Sequence, residues 1–186
     1  DPIFLAVDAE AWERNTSKVT EIGIAALDTR FLSRPTDRME WIRSIDAHHF
    51  TIRGRAKYIN KRFAPGCPEK FMFGTSETRP IKEMPGIFKK LFTAPDETKK
   101  TKGALRNFIL VGHDLKEDIR YMKRLDYDVT SEKSVVLNMD TQTVAKELSL
   151  PLGLEKLVTA LDIVPKYLHN AGNDAVYTMQ AMVCMA

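Results

Sequence analysis

Short apolar runs in the first quarter of the chain predict β-strands. Residues 3–7 are five consecutive apolar side chains, several of them branched or aromatic, which is typical of a strand buried on both faces. A second strand is predicted over residues 19–27 and a third over residues 38–45, where apolar and polar positions alternate. Because the connections are short, we expect these three strands to form an antiparallel meander.

Beyond residue 104 the pattern changes to alternating strands and helices. The apolar run 108–112 predicts a buried strand, and residues 115–125 carry an apolar stripe at helical spacing. The remaining predicted elements are a strand over 134–137, a helix capped by Asp140 or Thr141 and ending near 148, a helix over 154–161, and a last helix starting near Asn173. Such alternation indicates parallel strands with helices packed against the sheet.

Residues 48–104, between these two halves, show little periodicity. A helix is predicted from about residue 82, with Pro85 in its first turn, and residues 96–102 are interpreted as a charged, flexible linker. Unpatterned stretches of this length are often functional or mobile. The segment is therefore interpreted as a long insertion into one domain that spans residues 1–186.

Composition narrows the class of protein. The chain is 44% hydrophobic and 28% charged, as expected for a globular domain, and no apolar run approaches the roughly 20 residues that cross a bilayer. No secretory signal opens the chain, and Cys67 and Cys184 match no metal-binding spacing. We therefore expect free thiols, no membrane association and a cytoplasmic or nuclear location. Because the chain starts at Asp1 and not at Met, we expect a domain cut from a longer protein.

The net charge is only +3, but the cations are unevenly distributed. Two stretches are strongly basic: Arg53, Arg55, Lys57, Lys61 and Arg62 in the first, and Lys89, Lys90, Lys99, Lys100 and Lys102 in the second. Tyr58 and Phe63 interleave the first stretch. Clusters of this kind bind phosphates, although most basic clusters are ordinary solvated surface.

Two carboxylates follow the first predicted strand. Asp8 and Glu10 are separated by one residue, so both side chains point to the same side of a strand. Two carboxylates forced together at the edge of a core repel each other unless a cation lies between them, and hard oxygen ligands suit Mg²⁺ or Mn²⁺. The alternative is that both acids simply solvate the end of the strand.

Three further residues extend this pattern. Asp118 lies in the predicted helix after strand 108–112, and Asp174 lies in the first turn of the last helix, where a carboxylate also favours the positive end of the helix dipole. His169 lies five residues before Asp174, in the preceding loop. Each residue alone is better explained as a surface acid or a loop histidine, but together such explanations require a coincidence of residue type, spacing and order.

Three motifs in this order resemble the DnaQ-like exonucleases of the DEDDh type. The first is Asp8-Ala9-Glu10 after a strand, and the second is Gly112-His113 followed by a helix that carries Asp118. The third is His169 with Asp174 five residues later. A sister group has a tyrosine four residues before the last acid, where this chain has Asn170, so the histidine type fits better.

The resemblance implies a fold. DnaQ-like exonucleases have a ribonuclease H-like α/β fold, for which we expect a central mixed five-stranded sheet flanked by helices. In this chain a long insertion, at about residues 48–104, is expected between the third and fourth strands.

The resemblance also implies an activity. It predicts a 3′–5′ exonuclease that hydrolyses single-stranded nucleic acid to nucleoside 5′-monophosphates with two Mg²⁺ or Mn²⁺ ions. The metal ligands are expected to be Asp8, Glu10, Asp118 and Asp174, with His169 as the general base.

Substrate contacts are expected next to the first two motifs. Ala11 and Trp12 follow the first motif, where relatives contact the terminal nucleotide, and the indole could stack on a base. His113 is expected beside the substrate, although a structural role near the helix start suits it better than a catalytic one. Asp114 replaces an asparagine that many relatives carry. It is expected to cap the helix, and the alternatives are a contact with the outer shell of the metals or with the sugar.

The insertion and the segments 110–114 and 139–142 resemble a fungal group of these exonucleases that includes an Argonaute-interacting enzyme of RNA silencing. That resemblance favours RNA as the substrate and suggests an Argonaute protein as a partner of this domain or of missing flanks. The alternatives are a DNA proofreading or repair exonuclease and a catalytically silent nuclease fold that binds protein. The complete set of acids and histidine argues against the silent fold.

Overall fold

Six strands form one central sheet in the computed structural model, which describes residues 1–32, 38–99 and 103–186. The strands are β1 (Ile3–Trp12), β2 (Asn15–Asp28), β3 (Asp46–Ile52), β4 (Ser76–Arg79), β5 (Phe108–Gly112) and β6 (Val135–Asp140). Their order across the sheet is β4-β3-β2-β1-β5-β6. The strands β1, β2 and β3 pair antiparallel, whereas β3 with β4, β1 with β5 and β5 with β6 pair parallel.

Helices cover both faces of the sheet. They are α1 (Arg38–Arg43), α2 (Met84–Phe92), α3 (Leu115–Arg124), α4 (Thr141–Glu147), α5 (Leu154–Ala160) and α6 (Ala171–Met185), with single 3₁₀ turns at Thr29–Phe31, Ile81–Glu83 and Val129–Ser131. Leu5 and Val7 of β1 lie in the same apolar core as residues of α2 and α3, and Ala6 lies in a second core with α6. The helices α4 and α5 pack against α6. Almost the whole of α6 is therefore buried, between the sheet and these two helices.

The prediction of a third strand over residues 38–45 is wrong. Arg38–Arg43 is the short helix α1, and the third strand is Asp46–Ile52. Trp41, Ile42 and Ile45 pack together against the core formed by α6. Their spacing suits one face of a helix. The apolar pattern was too short to distinguish the helical period of about 3.6 residues from the strand period of two residues.

The sheet has six strands and not the expected five. The additional strand, β4, is four residues long and reads Ser-Glu-Thr-Arg, with no apolar run to signal it. It pairs parallel with β3 at the edge of the sheet. The insertion therefore starts after Ile52, not at residue 48, and contains β4 and α2 between β3 and β5.

The second half of the chain agrees with the predicted elements. The strand 108–112 and the helices near 115–125, 141–148 and 154–161 are all present, with Asp140 accepting hydrogen bonds from the backbone N–H of Gln142 at the start of α4. The predicted cap by Asp114 is wrong. Asp114 has a left-handed backbone with φ 67°, and its side chain makes no capping bond; Asp140 accepts the N–H of Leu115 at 2.9 Å. Lys100 and Lys102 of the predicted linker lie outside the described residues.

Gly23 of β2 sets how closely α6 approaches the sheet. It pairs with Asp8 of β1, and a Cβ atom added at Gly23 would lie 1.8 Å from the carbonyl oxygen of Ala171, the first residue of α6. No side chain fits in that space. The absence of a side chain at Gly23 therefore lets the start of α6 lie directly on the strand pair that carries the first acidic motif.

We expect Gly23→Ala to destabilise the protein by about 3 kcal/mol or more, because backbone atoms and not a flexible side chain must move. The matched control is Gly86→Ala in α2, where an added Cβ has nothing within 4 Å. That change should leave stability equal or up to about 1 kcal/mol higher. Urea unfolding of both variants tests this, and equal midpoints for the two would contradict the close approach.

Candidate active site

The first two acids lie where β1 leaves regular pairing. Asp8 and Glu10 lie on the face of the sheet that α6 covers, and Glu10 pairs with Glu21 of β2. The register then shifts between Glu10 and Ala11, and Thr20 donates its hydroxyl to the carbonyl oxygen of Glu10 at 3.2 Å. β-Bulges are common beside functional sites, and this irregularity follows Glu10 directly.

The other two acids come from the starts of helices. Asp118, in the first turn of α3, is only 5% exposed, and its carboxylate accepts the backbone N–H of Ala9. Asp174, in the first turn of α6, is 6% exposed and accepts the backbone N–H of His169 at 2.9 Å. Because β5 lies beside β1 and α6 lies over it, the fold brings all four predicted acids to one place.

The electrostatics of this acid cluster show that the carboxylates are close and poorly compensated. Burial raises the pKa of Asp8 well above its ordinary value, and the charges of Asp118, Asp174 and Glu10 raise it further. Burial and the charge of Asp174 raise the pKa of Glu10 to about 8. The pKa of Asp174 is raised to about 7 and that of Asp118 is also raised, in both cases mainly by burial.

Two buried oxygens of the acid cluster have no hydrogen-bond partner among the described residues. They are Oδ2 of Asp8 and Oδ1 of Asp174. A buried carboxylate oxygen without a donor is costly unless a cation or a proton satisfies it. The donors are all hard oxygens, so the cluster fits Mg²⁺ or Mn²⁺ better than a soft metal.

His169 lies at the open side of the acid cluster. It is exposed, has a left-handed backbone with φ 63°, and places a ring nitrogen within 4.8 Å of carboxylate oxygens of Glu10 and Asp174. A cleft of about 330 Å³ beside it is lined by Gly153, Leu154, Glu155, Lys156, Leu168, His169 and Asp174. The histidine therefore stands between the buried acids and a space that solvent or a ligand can enter.

The raised pKa values predict that stability depends on pH and on divalent metal. The folded state holds protons on these carboxyls at pH values where the unfolded chain has released them, so stability falls as pH rises from about 4.5 towards about 8. In chelator, we expect the melting temperature to be at least about 5 °C lower at pH 8.5 than at pH 6. Millimolar Mg²⁺ or Mn²⁺ should remove most of that difference; a melting temperature that responds to neither pH nor metal would contradict the arrangement.

The three residues predicted to contact the substrate differ in how exposed their side chains are. Ala11 is 8% exposed, and its carbonyl oxygen accepts the side-chain N–H of Asn60 at 2.8 Å, so its side chain is packed inside. Trp12 is half-buried, with its ring centroid 4.8 Å from that of Tyr58. His113 is half-buried after β5, and its Nδ1 lies 3.0 Å from the Thr141 hydroxyl, which joins β5 to α4.

A fifth carboxylate in this region was not predicted. Glu21 is 5% exposed and lies 2.9 Å from Nε2 of the buried His49, whose Nδ1 lies 2.8 Å from the Ser76 hydroxyl. The backbone N–H of Ala171 donates to the same Glu21 oxygen at 3.4 Å. Glu21 therefore connects β2, β3, β4 and α6 behind the acid cluster, and its charge contributes to the raised pKa values of Asp8, Glu10 and Asp174. Its position opposite Glu10 could be found only once the strand register was known.

Two asparagines attach the insertion to the histidine loop. Asn170 donates to the carbonyl oxygen of Cys67 at 3.1 Å, and Asn173 donates to that of Lys70 at 3.0 Å and accepts the N–H of Met72 at 2.9 Å. Both asparagines are completely buried. The insertion thus holds the loop that carries His169, a contact between residues about 100 positions apart that no local sequence pattern reveals.

Cys67 and Cys184 are both free thiols, as predicted. Among the helices in the described part of the chain, none combines the length and the apolarity needed to cross a membrane.

The mixed sheet with helices on both faces is a ribonuclease H-like fold. A solved structure of Escherichia coli exonuclease I in complex with a dT13 oligonucleotide shares it, with a TM-score of 0.59 and 15% sequence identity over 100% of this chain and 41% of that chain. The sequence model of the DEDDh_C family, described as DNA polymerase III subunit epsilon-like, C-terminal domain, matches residues 3–185. The chain therefore belongs to this family of DnaQ-like exonucleases, whose members use divalent metal ions.

Two fungal relatives match nearly the whole chain. An uncharacterised nucleolar protein of Schizosaccharomyces pombe is 33% identical over 191 residues, covering 96% of this chain and 67% of the relative. An uncharacterised protein of Saccharomyces cerevisiae is 28% identical over 199 residues, covering 97% of this chain and 40% of the relative. The chain thus spans about two thirds of the first relative's length and two fifths of the second's.

Proposed function

We propose that this domain is a metal-dependent 3′–5′ exonuclease that removes nucleoside 5′-monophosphates from single-stranded nucleic acid. The observation that carries the proposal is the convergence of Asp8, Glu10, Asp118 and Asp174 with raised pKa values, beside an exposed histidine. A purely structural cluster has no need of four carboxylates within reach of each other's charge, two of which have buried oxygens without a hydrogen-bond partner among the described residues. A site that binds divalent cations does.

The four carboxylates are the proposed ligands of two Mg²⁺ or Mn²⁺ ions. The unpartnered oxygens of Asp8 and Asp174 provide free coordination positions, and the charges of Glu10 and Asp118 act on Asp8 as well. When bound, such a pair of ions supplies a reactive water and stabilises negative charge on the attacking and leaving oxygens of a phosphodiester. The protein's own contribution is to hold the oxygens fixed, which it does by placing them on β1 and on the first turns of α3 and α6.

His169 is the proposed general base. Its imidazole is exposed at the mouth of the acid cluster, where it can take the proton of the attacking water and release it to solvent. Its backbone N–H is bonded to Asp174, and the neighbouring asparagines are bonded to the insertion. These bonds hold the backbone of the loop that carries the ring.

The substrate is proposed to be a single strand, with RNA favoured over DNA. A narrow cleft beside His169 suits one unpaired terminal nucleotide. RNA follows from the fungal resemblance, whereas exonuclease I, which shares only the fold, has been crystallised with DNA oligonucleotides. A role in RNA silencing with an Argonaute partner stays a prediction of that resemblance, and the nucleolar relative favours a nuclear location.

Two alternative hypotheses are a DNA proofreading or repair enzyme and a catalytically silent module that binds protein. The same acids and histidine would serve the repair enzyme, so only the substrate distinguishes it. The silent module is disfavoured because none of the five expected residues is missing from the site.

The test is a cleavage time course on single-stranded RNA and DNA of about 12 nucleotides. Each oligonucleotide is labelled at the 5′ end and incubated with Mg²⁺, with Mn²⁺ or with chelator. We expect a ladder that shortens from the 3′ end only when metal is present, faster on RNA. Internal cuts, shortening from the 5′ end or complete inactivity would overturn the proposal.

A further inference from the structure

We propose that residues 57–63 of the insertion, with Lys18 and Trp12, bind the unpaired nucleotides that precede the 3′-terminal one. This strand-binding surface is defined by Trp12, Lys18, Lys57, Tyr58, Lys61, Arg62 and Phe63. The inference rests on the proposed function for its orientation, because the acid cluster is taken as the place where the terminal phosphodiester lies.

The insertion is fixed to the end of β1 at this point. The side chain of Asn60 donates to the carbonyl oxygen of Ala11 at 2.8 Å and accepts the N–H of Glu13 at 2.7 Å. The Glu13 carboxylate in turn accepts the backbone N–H of Arg62 at 3.2 Å. Trp12 lies two residues beyond Glu10, about 7 Å of strand. The surface is therefore held next to the acid cluster and does not depend on a chance approach of a loop.

Aromatic rings with cations against them make up this surface. Tyr58 contacts Trp12, and the ammonium groups of Lys18 and Lys57 lie 5.0 and 5.3 Å from its ring centroid. Phe63 is 79% exposed, and the Arg62 guanidinium lies 5.0 Å from its ring. An aromatic side chain this exposed contributes nothing to the core, whereas unpaired bases stack on such rings at about 1–3 kcal/mol each.

The cations of the surface form no ion pairs within the described part of the chain. Among the salt bridges of the described residues, none involves Lys18, Lys57 or Arg62, and Lys61 likewise has no carboxylate partner there. By contrast, Arg55 donates to the carbonyl oxygen of Val19 and is structural. Cations without carboxylate partners around an exposed ring, that of Phe63, suit a phosphate backbone with unstacked bases. They do not suit a duplex, whose bases are covered.

The chain contains a matched control at the other end of β1. Phe31 is 75% exposed with the Arg30 guanidinium 5.4 Å from its ring, and it follows Asp28, which pairs with Ile3. The same pair of residue types therefore lies about seven residues, roughly 23 Å of strand, from Glu10. A general effect of removing an exposed phenylalanine would be the same at both positions.

The experiment compares Phe63→Ala, Arg62→Ala and Phe31→Ala. Anisotropy with fluorescein-labelled U12 and dT12, in Ca²⁺ to limit cleavage, gives Kd for each variant. We expect Phe63→Ala to raise Kd about tenfold and Phe31→Ala to leave it unchanged. Arg62→Ala should also lower the slope of log Kd against log salt by about 0.7, the value for one phosphate contact on a single strand. Equal Kd values for Phe63→Ala, Phe31→Ala and wild type, or no binding of either oligonucleotide, would overturn the proposal.

A cleavage measurement separates this inference from the proposed function. For each variant, the efficiency on the 12-mers is divided by that on the p-nitrophenyl ester of thymidine 5′-monophosphate, which has no preceding nucleotides. Phe63→Ala should lower this ratio about tenfold. If the wild-type protein cleaves neither substrate but Phe63→Ala still weakens oligonucleotide binding, the exonuclease proposal is wrong and the strand-binding surface is supported. If the wild-type protein cleaves both substrates and Phe63→Ala has the same ratio as wild type, the strand-binding surface is wrong and the exonuclease proposal is supported.

Discussion

Asp8→Asn is expected to lower the rate of 3′-end cleavage at least about a thousandfold while the protein stays folded. The change keeps the shape of the side chain and removes a charge whose Oδ2 has no hydrogen-bond partner among the described residues. Losing about 4 kcal/mol of stabilisation in the transition state corresponds to this factor. Because Asp118, Asp174 and Glu10 each raise the pKa of Asp8, removing its charge should also leave the metal-free protein as stable as wild type or more so.

The control for this change is Asp126→Asn. Asp126 is exposed, follows the end of α3 and has φ 60°, which asparagine also tolerates. It lies beyond the end of α3, whereas Asp118 lies in the first turn, six residues or about 9 Å of helix before the last residue, Arg124. Single-turnover cleavage and thermal melting are measured for both variants. If Asp8→Asn cleaves at the wild-type rate, Asp8 is not part of the active site. Equal losses of cleavage rate in Asp8→Asn and Asp126→Asn would show that the effect is not specific to Asp8.

His169→Asn is expected to lower the cleavage rate about 10²- to 10⁴-fold while metal affinity is retained. Asparagine is preferred to alanine here because the left-handed backbone at φ 63° strains most side chains but suits asparagine. The backbone N–H that bonds to Asp174 remains, so the carboxylate keeps its position. Steady-state cleavage and Mn²⁺ titration of the same preparation provide the two readouts.

His48→Asn is the matched control for that experiment. His48 lies on β3 near Asp46, with an exposed ring, and belongs to none of the three motifs. Its replacement should leave both readouts unchanged. If His169→Asn weakens Mn²⁺ binding as strongly as cleavage, His169 is a metal ligand, in keeping with its position within 4.8 Å of Glu10 and Asp174, and not a general base.

Much of the fold follows from local pattern. The strand β5 and the striped helix α3 were predicted within one residue, because burial on both faces of a strand leaves a continuous apolar run. The first strand was predicted only over residues 3–7, whereas β1 continues to Trp12 through the acidic motif, where no apolar run marks it. The apolar pattern was ambiguous at α1, where a few apolar residues fit both the helical and the strand period. It gave no signal at β4, whose four polar residues form a strand by pairing with the edge of β3.

The acid cluster was also predictable, for a different reason. Glu10 lies near the end of β1 with Asp8 on the same face of the strand, and Asp118 and Asp174 lie in the first turns of helices. Their convergence therefore follows from the order of the elements once the class of fold is known. Glu21 was not predictable, since its place beside the cluster depends on the register of β2 against β1. The same holds for Asn60 and Asn173, which act through partners tens of residues away.

A calorimetric titration with Mn²⁺ near pH 8, made on the wild-type protein and on Asp8→Asn, is the most direct test of the proposed metal centre. Unlike cleavage, it does not depend on having chosen the right nucleic acid. The convergence of four carboxylates with raised pKa values predicts two Mn²⁺ ions per wild-type chain and a loss of at least one of them in Asp8→Asn. Absence of Mn²⁺ binding to wild type, or the same binding to both proteins, would contradict the proposal that these carboxylates form a metal centre.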